Sequence, residues 1–350
     1  MYNKIYISFI LVVLIFTILK LLIRGGINEE EIPTVYPLKS ILLGIVVVGF
    51  ITFFPADYGS DKVRYLELFE NLEINTYSKD IGWIYYNKLI KLFFNNSGVF
   101  FFITAIFYFS SNYAFLNRLV KKEYVFYLLI ATVGALGFFS YGVNTIRAGI
   151  GLSFFLLAIV SRKKFLFVLF AIFSVLIHKS MLIPIAAFFV TRIYKNTKYY
   201  LWGWLAFLIV SIINVNTVSD FLKTTFAESD ERVDIYIGVE TSELYNAGFR
   251  IDFLLYSVLP LLLGAFYIFK LKFNDKFYIH LFNVYVVVNS FWLLLIRIPF
   301  TDRFAYLSWF LIPFIVLYPM FKIENLTNRH IKLALGIGGI VLLNFALIFK

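Results

Sequence analysis

Apolar stretches alternate with short polar connections along almost the whole chain. Because a helix needs about 20 apolar residues to cross a bilayer, this pattern predicts an all-α, polytopic integral membrane protein with about 10–12 transmembrane helices. The two stretches that flank His178 are short, which favours a broken or re-entrant hairpin there. The predicted spans are residues 5–23, 39–54, 98–116, 124–140, 146–160, 165–178, 180–191, 199–213, 251–269, 277–296, 303–321 and 333–349.

The composition excludes an ordinary soluble domain. Of the 350 residues, 61% are hydrophobic and 15% are charged, whereas soluble domains average about 45–50% apolar and about 25% charged residues. The chain contains no cysteine, which excludes disulfides, thiolate metal sites and cysteine nucleophiles.

The basic residues lie mainly in the connections between spans. The net charge is +11, but membrane topology explains this excess, so nucleic acid is not an expected partner. The positive-inside rule predicts that five basic connections are cytoplasmic. One transmembrane domain, residues 1–350, would then carry two long external loops at about 55–97 and 214–250. The basic connections contain Arg118/Lys121/Lys122, Arg162/Lys163/Lys164, Arg192/Lys195/Lys198, Lys270/Lys272/Lys276 and Lys322/Arg329/Lys332.

A second set of cations falls at the external ends of predicted spans, where the positive-inside rule requires none. Cations at membrane depth are costly, so they usually face a cavity or a charged partner. If the helices that carry them pack together, they form a cationic cavity that suits a pyrophosphate. The set comprises Arg147, His178, Arg250, Arg297 and Arg303.

Arg147 and His178 each have a simpler alternative. Arg147 is a candidate to snorkel from its helix end to the headgroups. Against this, Gly149 and Ser153 form a small-xxx-small pair that lets another helix approach closely. His178 is a candidate for a hydrogen-bonded residue in a capped turn, or for a group that binds an anion or moves a proton.

The remaining arginines also have structural alternatives. Arg250 and Asp252 form an anchor at a helix start in one interpretation. Arg297 and Arg303 flank a short turn that contains Pro299. Together with Tyr306, Trp292 and Trp309, they are equally typical of an aromatic belt at the membrane boundary.

The first external loop contains two stretches with helical periodicity. Asp61, Tyr65 and Phe69 recur every four residues and therefore share one helix face. Asp57 and Asp61 are candidates for a metal site or a catalytic base, and a solvated amphipathic helix is the alternative. Further along, "IGWIYYNKLIKLFF" is amphipathic and predicts a helix on the membrane surface.

Four motifs in order resemble those of the EpsG/Wzy-like family of bacterial polysaccharide polymerases. Together they span most of the chain. Ala148 departs from the pattern, because a polar residue often follows the helix-start arginine. The matching segments are "GSDKVRYLELF" (Gly59, Asp61, Tyr65, Phe69), "NTIRAGIGLSFFLLA" (Arg147), "LIHKSMLIPI" (His178, Ser180) and "DRFAYLSWFLIPFI" (Arg303, Tyr306).

The resemblance implies a GT-C-like helical bundle in the bacterial inner (cytoplasmic) membrane with its active site facing the periplasm. It implies a glycosyltransferase that polymerises O-antigen or another surface polysaccharide. The donor and the acceptor would be oligosaccharides linked to undecaprenyl pyrophosphate. Membrane lipid and a chain-length-regulating protein would be further partners.

The implied site combines cations with a base. His178 is the first candidate for the base, with Asp61 and Asp252 as alternatives, and an inverting reaction is expected. No pair of carboxylates has a convincing spacing for Mg²⁺ or Mn²⁺, so neither a metal nor another cofactor is expected. The expected pyrophosphate and substrate contacts are Arg147, Arg250, Arg297, Arg303, Tyr65, Asp252 and Tyr306.

Two other functions remain open from the sequence. A metal-dependent GT-C glycosyltransferase that uses a polyprenyl-phosphate sugar would place acids such as Asp57 and Asp61 in the first external loop. A transporter or flippase for lipid-linked oligosaccharides would favour two related halves, but the sequence contains no recognisable internal repeat.

Overall fold

A computed structural model describes residues 2–23, 35–55, 61–72, 80–213, 248–324 and 326–348. The regular elements in these ranges are helices, so the predicted all-α membrane fold is confirmed. The chain divides into two compact units, one formed by residues 1–185 and 317–350 and the other by residues 186–316. The single domain predicted over 1–350 stays a prediction.

Nine complete helices precede residue 182 in the first unit among the described residues, and most match predicted spans closely. Helix α8 has the bounds that its apolar run predicts, and a 3₁₀ turn, Lys179–Met181, follows α9. The helices are α1 (Tyr2–Ile23), α2 (Val35–Thr52), α3 (Asp61–Glu70), α4 (Ile81–Phe93), α5 (Ser97–Leu119), α6 (Lys122–Val133), α7 (Leu136–Val143), α8 (Ile146–Val160) and α9 (Lys164–Ile177).

The regular elements described in the rest of the chain are also helices. Helix α10 leads out of the first unit and α15 leads back, and α16 completes that unit. These helices are α10 (Leu182–Ile193), α11 (Thr197–Ile213), α12 (Ile251–Ala265) with a π turn at Phe266–Lys270, α13 (Lys276–Leu293), α14 (Thr301–Trp309), α15 (Ile312–Lys322) and α16 (Arg329–Ile348).

Helix lengths give a smaller number of spans than the hydrophobic pattern. Five helical segments of the described chain are long and apolar enough to cross a membrane, or six if one bent pair counts as a span. Four shorter apolar helices of 10–17 residues accompany them. The protein is therefore a multi-pass membrane protein, and the number of 10–12 spans stays a prediction.

The bent pair replaces the single span predicted at 124–140. Helices α6 and α7 meet at 72° around Gly134. Carbonyls released at such a break must find donors inside the protein. The Tyr6 hydroxyl donates to Val133 O at 2.7 Å, and Asn344 Nδ2 donates to Gly134 O at 2.8 Å. Helices α1 and α16 therefore stabilise the break.

The loop predicted to be external at about 55–97 contains α3 and α4, as its periodicity predicts. Phe69 is buried and stacks on Phe100 at 4.5 Å, and Tyr65 lies edge-on to Trp83 at 5.4 Å. Helix α4 buries Trp83 and exposes other apolar side chains. The α3 face therefore packs onto other helices, which contradicts a purely solvated helix.

A buried polar network ties four helices of the second unit together. Asn289 of α13 donates to the hydroxyls of Ser257 and Ser308, and it accepts from Trp204 Nε1 at 2.8 Å. Trp309 Nε1 also donates to the Ser257 hydroxyl, at 2.7 Å. All four donors thus reach acceptors, which makes the network compatible with membrane depth.

Candidate functional site

The α8–α9 hairpin brings the two strongest predicted residues to the same end of the first unit. Only residues 161–163 join these antiparallel helices. The start of α8, with Arg147, therefore lies beside the end of α9, with His178. The Ser174 hydroxyl donates to Gly151 O at 2.7 Å, and a Cβ on Gly151 would lie 3.2 Å from His178 Cβ. Gly151 thus permits this close packing.

The loop helix α4 adds a residue that sequence reasoning missed, Asp80. It is the N-cap of α4, but its side chain makes no capping bond to that helix. A Cβ on Gly82 would lie 2.7 Å from Leu176 C and 2.9 Å from Ile177 N. Because only a glycine allows this approach, the start of α4 lies directly against the end of α9.

The Asp80 carboxylate is the centre of a three-residue cluster. Its Oδ2 lies 3.0 Å from Arg147 Nη1 and 3.5 Å from His178 Nδ1. Its Oδ1 accepts a hydrogen bond from the Lys179 backbone N–H at 3.3 Å. The Asp80 side chain has no exposed surface, whereas 16% of the Arg147 side chain and 21% of the His178 side chain are exposed. The cluster is therefore accessible through its two basic members.

This geometry bears on the alternatives for Arg147, whereas those for His178 stay open. Arg147 forms an ion pair with a buried carboxylate instead of snorkelling, so the snorkelling interpretation is wrong. Gly149 has a local role, because its Cβ would lie 2.4 Å from Tyr141 O on the preceding helix. His178 is extended between α9 and the 3₁₀ turn, with its ring facing Asp80.

No signal in the sequence separated Asp80 from an ordinary helix cap. An aspartate before an amphipathic helix is the expected N-cap residue. The useful signal was indirect: an arginine at membrane depth needs a counterion. The loop at about 55–97 contains several acids, of which the sequence pattern favours Asp57 and Asp61.

Helix α3 places Tyr65 near the start of α4 through its contact with Trp83. Asp61 begins α3 and is partly exposed. Asp57 and Gly59 lie outside the described residues. The roles predicted for Asp61 and Tyr65 therefore stay predictions.

The neighbouring Lys62 is a buried lysine that sequence reasoning also missed. Only 2% of it is exposed. Its ammonium donates to the carbonyls of Thr52 at 2.7 Å, Phe54 at 2.6 Å and Ile51 at 3.1 Å. Burial lowers the pKa of Lys62 to about 8, so the group is mostly charged at neutral pH. Lys62 thus caps the C-terminal end of α2 and fixes the start of α3.

Arg250 and Asp252 pair with each other at the start of α12 in the second unit. Arg250 Nε and Nη2 donate to the two carboxylate oxygens at 2.9 and 2.8 Å. The guanidinium also lies 3.6 Å from the centre of the Phe253 ring. These contacts support the anchor interpretation, and the predicted substrate roles of both residues stay predictions.

The remaining predicted residues also lie in the second unit. Arg297 Nε donates to Ser211 O at 3.3 Å, and Arg303 lies 4.7 Å from the centre of the Phe300 ring. Tyr306 is 6% exposed. The predicted cavity that would join these residues with Arg147 stays a prediction.

The aromatic-belt alternative is wrong for the two tryptophans. Trp292 and Trp309 are buried at 0% and 1% exposure. Trp292 Nε1 donates to the Thr301 hydroxyl at 2.9 Å. A belt residue faces the lipid headgroups, whereas these rings pack inside the second unit.

Over the described parts of the chain, no three His, Asp or Glu side chains are grouped closely enough to hold a metal ion. The cluster around Asp80 has only one carboxylate and one imidazole, with Arg147 beside them. Its chemistry is that of a proton acceptor next to a fixed cation.

Comparison with known proteins places the chain in a family. No curated protein and no solved structure matches it at a significant level. The sequence model of the EpsG family matches residues 40–350, which include Asp80, Arg147 and His178. Because this match covers most of the chain, the protein belongs to the EpsG family.

Proposed function

We propose that this protein polymerises a bacterial surface polysaccharide. It would transfer the growing glycan from undecaprenyl pyrophosphate to a new lipid-linked repeat unit, on the periplasmic side of the inner membrane. Membership of the EpsG family and a multi-pass fold support a membrane role in polysaccharide biosynthesis. The observation that carries the proposal is the Arg147–Asp80–His178 cluster, which joins three distant parts of the chain.

The reaction needs a base for the acceptor and a cation for the leaving group. The acceptor hydroxyl oxygen attacks C1 of the donor sugar, and its proton passes to His178. The bond between C1 and the pyrophosphate oxygen breaks, and its electron pair leaves with undecaprenyl pyrophosphate. Arg147 stabilises the charge that develops there. Attack opposite the leaving group inverts the configuration at C1.

The proton path follows from the orientation of the imidazole. His178 Nδ1 faces Asp80 Oδ2. A carboxylate at that distance favours the tautomer with the proton on Nδ1. We therefore assign Nε2 to receive the proton from the acceptor hydroxyl.

Arg147 is a better candidate for the leaving-group contact than Arg250. Both Asp252 oxygens already receive hydrogen bonds from Arg250. The Arg147 side chain is 16% exposed and the Arg250 side chain 31%, so exposure does not separate them. Arg147 is preferred because it shares the Asp80 carboxylate with His178, the candidate base. Arg297, Arg303, Tyr65 and Tyr306 are further substrate contacts in this proposal.

The direct test is an electrophoretic ladder of the surface glycan from cells with and without the gene. Loss of the gene is expected to replace many repeats by one. Arg147→Gln should do the same, because the leaving group loses its cation. Arg162→Gln, in the exposed basic turn after α8, is the matched control and should keep the ladder. A normal ladder from abundant Arg147→Gln protein contradicts the site.

Two further measurements address the chemistry. NMR of the polymer linkage should show an anomeric configuration opposite to that of the lipid-linked donor, and retention would contradict the mechanism. The proposal includes a reaction that needs no metal ion, because no pair of carboxylates in the sequence has a spacing suited to Mg²⁺ or Mn²⁺. A complete loss of polymerisation in EDTA that Mn²⁺ restores would contradict it.

The alternatives predict different phenotypes. A metal-dependent GT-C transferase would lose all activity in Asp57→Asn and tolerate Arg147→Ala. A transporter would cause lipid-linked units to accumulate on the cytoplasmic side of the membrane when the gene is deleted.

A further inference from the structure

One carboxylate oxygen in the cluster serves two basic partners. Asp80 Oδ2 lies 3.0 Å from Arg147 and 3.5 Å from His178. The shorter distance is to the guanidinium, which always carries a charge. In this arrangement the carboxylate is mainly paired with Arg147, and His178 is its second partner.

A phosphate ligand would compete for the same guanidinium. Phosphate oxygens bind arginine bidentately and with more charge than one carboxylate. The Arg147 side chain is partly exposed, whereas the Asp80 side chain has no exposed surface. A pyrophosphate can therefore reach Arg147 from the accessible side and weaken its pair with Asp80. The buried carboxylate can then pair more closely with His178.

The backbone around Asp80 restricts this exchange to a small movement. Oδ1 accepts from the Lys179 N–H, the residue directly after His178. Gly82 lies against the backbone of Leu176 and Ile177, and Gly151 lies against His178. Asp80 and the turn at His178 are thus held together, and only Oδ2 needs to change its main partner.

We propose that Asp80 is a positioning residue that passes from Arg147 to His178 when a pyrophosphate binds Arg147. Substrate binding then strengthens the base at the moment it is needed. The carboxylate orients the imidazole and stabilises the imidazolium that forms when the acceptor loses its proton. This inference rests on the proposed function, because it assigns the leaving group to Arg147 and the base to His178.

The chain contains three histidines, so the imidazole of His178 can be followed by NMR of protein with labelled histidine. His178→Asn assigns its signal, and His280 and His330 serve as internal references. Inorganic pyrophosphate is the probe. Its binding should move the titration midpoint of His178 to higher pH. In Asp80→Asn the shift should fall to less than half of the wild-type shift. Without the carboxylate, only the negative charge of the bound pyrophosphate acts on the His178 imidazole. An equal shift in both proteins overturns the proposal.

Kinetics provide the second readout. His178 must be neutral to accept a proton from the acceptor, and the negative charge of Asp80 favours the protonated form of His178. Asp80→Asn should therefore move the acid limb of the kcat profile to lower pH and lower kcat by about 10- to 100-fold with little change in KM. An unmoved acid limb with unchanged kcat overturns the role of Asp80.

Two controls keep the test decisive. If the Asp80→Asn protein is not abundant, Asp80→Glu takes its place. It keeps the negative charge but moves the carboxylate oxygen away from its position beside His178. The Asp80→Glu protein should be as abundant as wild type and have a lower kcat. Wild-type kcat in Asp80→Glu overturns the positioning role. Polymerisation by the wild-type protein is measured separately. Polymerisation can be absent while pyrophosphate still moves the titration midpoint of His178 in a way that depends on Asp80. In that case the proposed polymerase function is wrong, and the change of partner by Asp80 is still supported.

Discussion

Two arginine–carboxylate pairs lie at helix starts in this molecule, and they are built differently. Arg250 and Asp252 are two residues apart and satisfy each other in a partly exposed position. Arg147 and Asp80 are 67 positions apart, and the carboxylate is fully buried and shared with His178. A local exposed pair contributes little free energy, whereas a buried one requires desolvation of both groups. The buried pair therefore indicates a function more strongly than the local pair.

Removal of one charge should separate the two pairs most clearly. Arg147→Gln removes the nearer of the two basic side chains beside the buried Asp80 carboxylate, which is expected to lower the free energy of unfolding by about 3–5 kcal/mol. Arg250→Gln should cost about 0–1 kcal/mol, because Asp252 stays partly solvated. Thermal unfolding in detergent measures both variants.

A double variant tests the cause of that loss. Arg147→Gln combined with Asp80→Asn removes both buried charges, so most of the stability should return while polymerisation stays absent. Equal losses for Arg147→Gln and Arg250→Gln would refute the contrast between the two pairs.

The glycine that places Asp80 offers a test without any change of charge. A Cβ at Gly82 meets the backbone of Leu176 and Ile177, which cannot move aside. Gly82→Ala is therefore expected to displace α4 and cost about 1–3 kcal/mol, and the glycan ladder should shorten. Gly49→Ala in α2 is the control, because a Cβ there meets nothing within 4 Å. A normal ladder from Gly82→Ala would show that this approach does not position the carboxylate.

Lys62, at the start of α3, offers a test of similar size in stability. Lys62→Met keeps the length of the side chain but leaves three carbonyls at the end of α2 without this donor. The expected loss is about 1–3 kcal/mol, measured by thermal unfolding. Exposed Arg64 on the same helix provides the control Arg64→Met, which should change little. Equal melting temperatures for wild type and Lys62→Met would rule out the capping role.

The smallest expected effect is a pH dependence through Lys62. Burial lowers its pKa to about 8 in the folded protein, whereas an unfolded lysine titrates near about 10.4. Between these values unfolding takes up a proton, so a rise in pH stabilises the folded state through this group. The melting temperature of the wild type should therefore rise relative to Lys62→Met between about pH 8 and 10. A constant difference would contradict the lowered pKa.

Much of the fold could be predicted because hydrophobic periodicity is a local property. The run from 146 to 160 forms α8 with those bounds, and the amphipathic stretch after Asp80 forms α4. The break at Gly134 was not predictable in the same way. Its released carbonyls are satisfied by Tyr6 and Asn344, which are more than 120 residues away in each direction.

In the candidate site, too, some residues could be predicted from the local sequence and one depended on distant contacts. The positive-inside rule predicts that Arg147 and His178 lie on the same side of the membrane, because it depends only on the order of spans and charged connections. The third member was missed, because the sequence around Asp80 is that of a helix cap. Whether an aspartate caps its own helix or pairs with a distant arginine depends on which helices meet there.

The sequence by itself determined the class of the protein, most of its helices, the charge pattern of the connections and the two basic residues of the cluster. The length of each apolar run and the charges between the runs are local properties of the chain, so they can be read without knowing which helices pack together. Only the tertiary structure decided that Asp80 joins them. The close approach of Gly82 to the end of α9 brings the carboxylate there, and burial then requires that its charge be matched by Arg147.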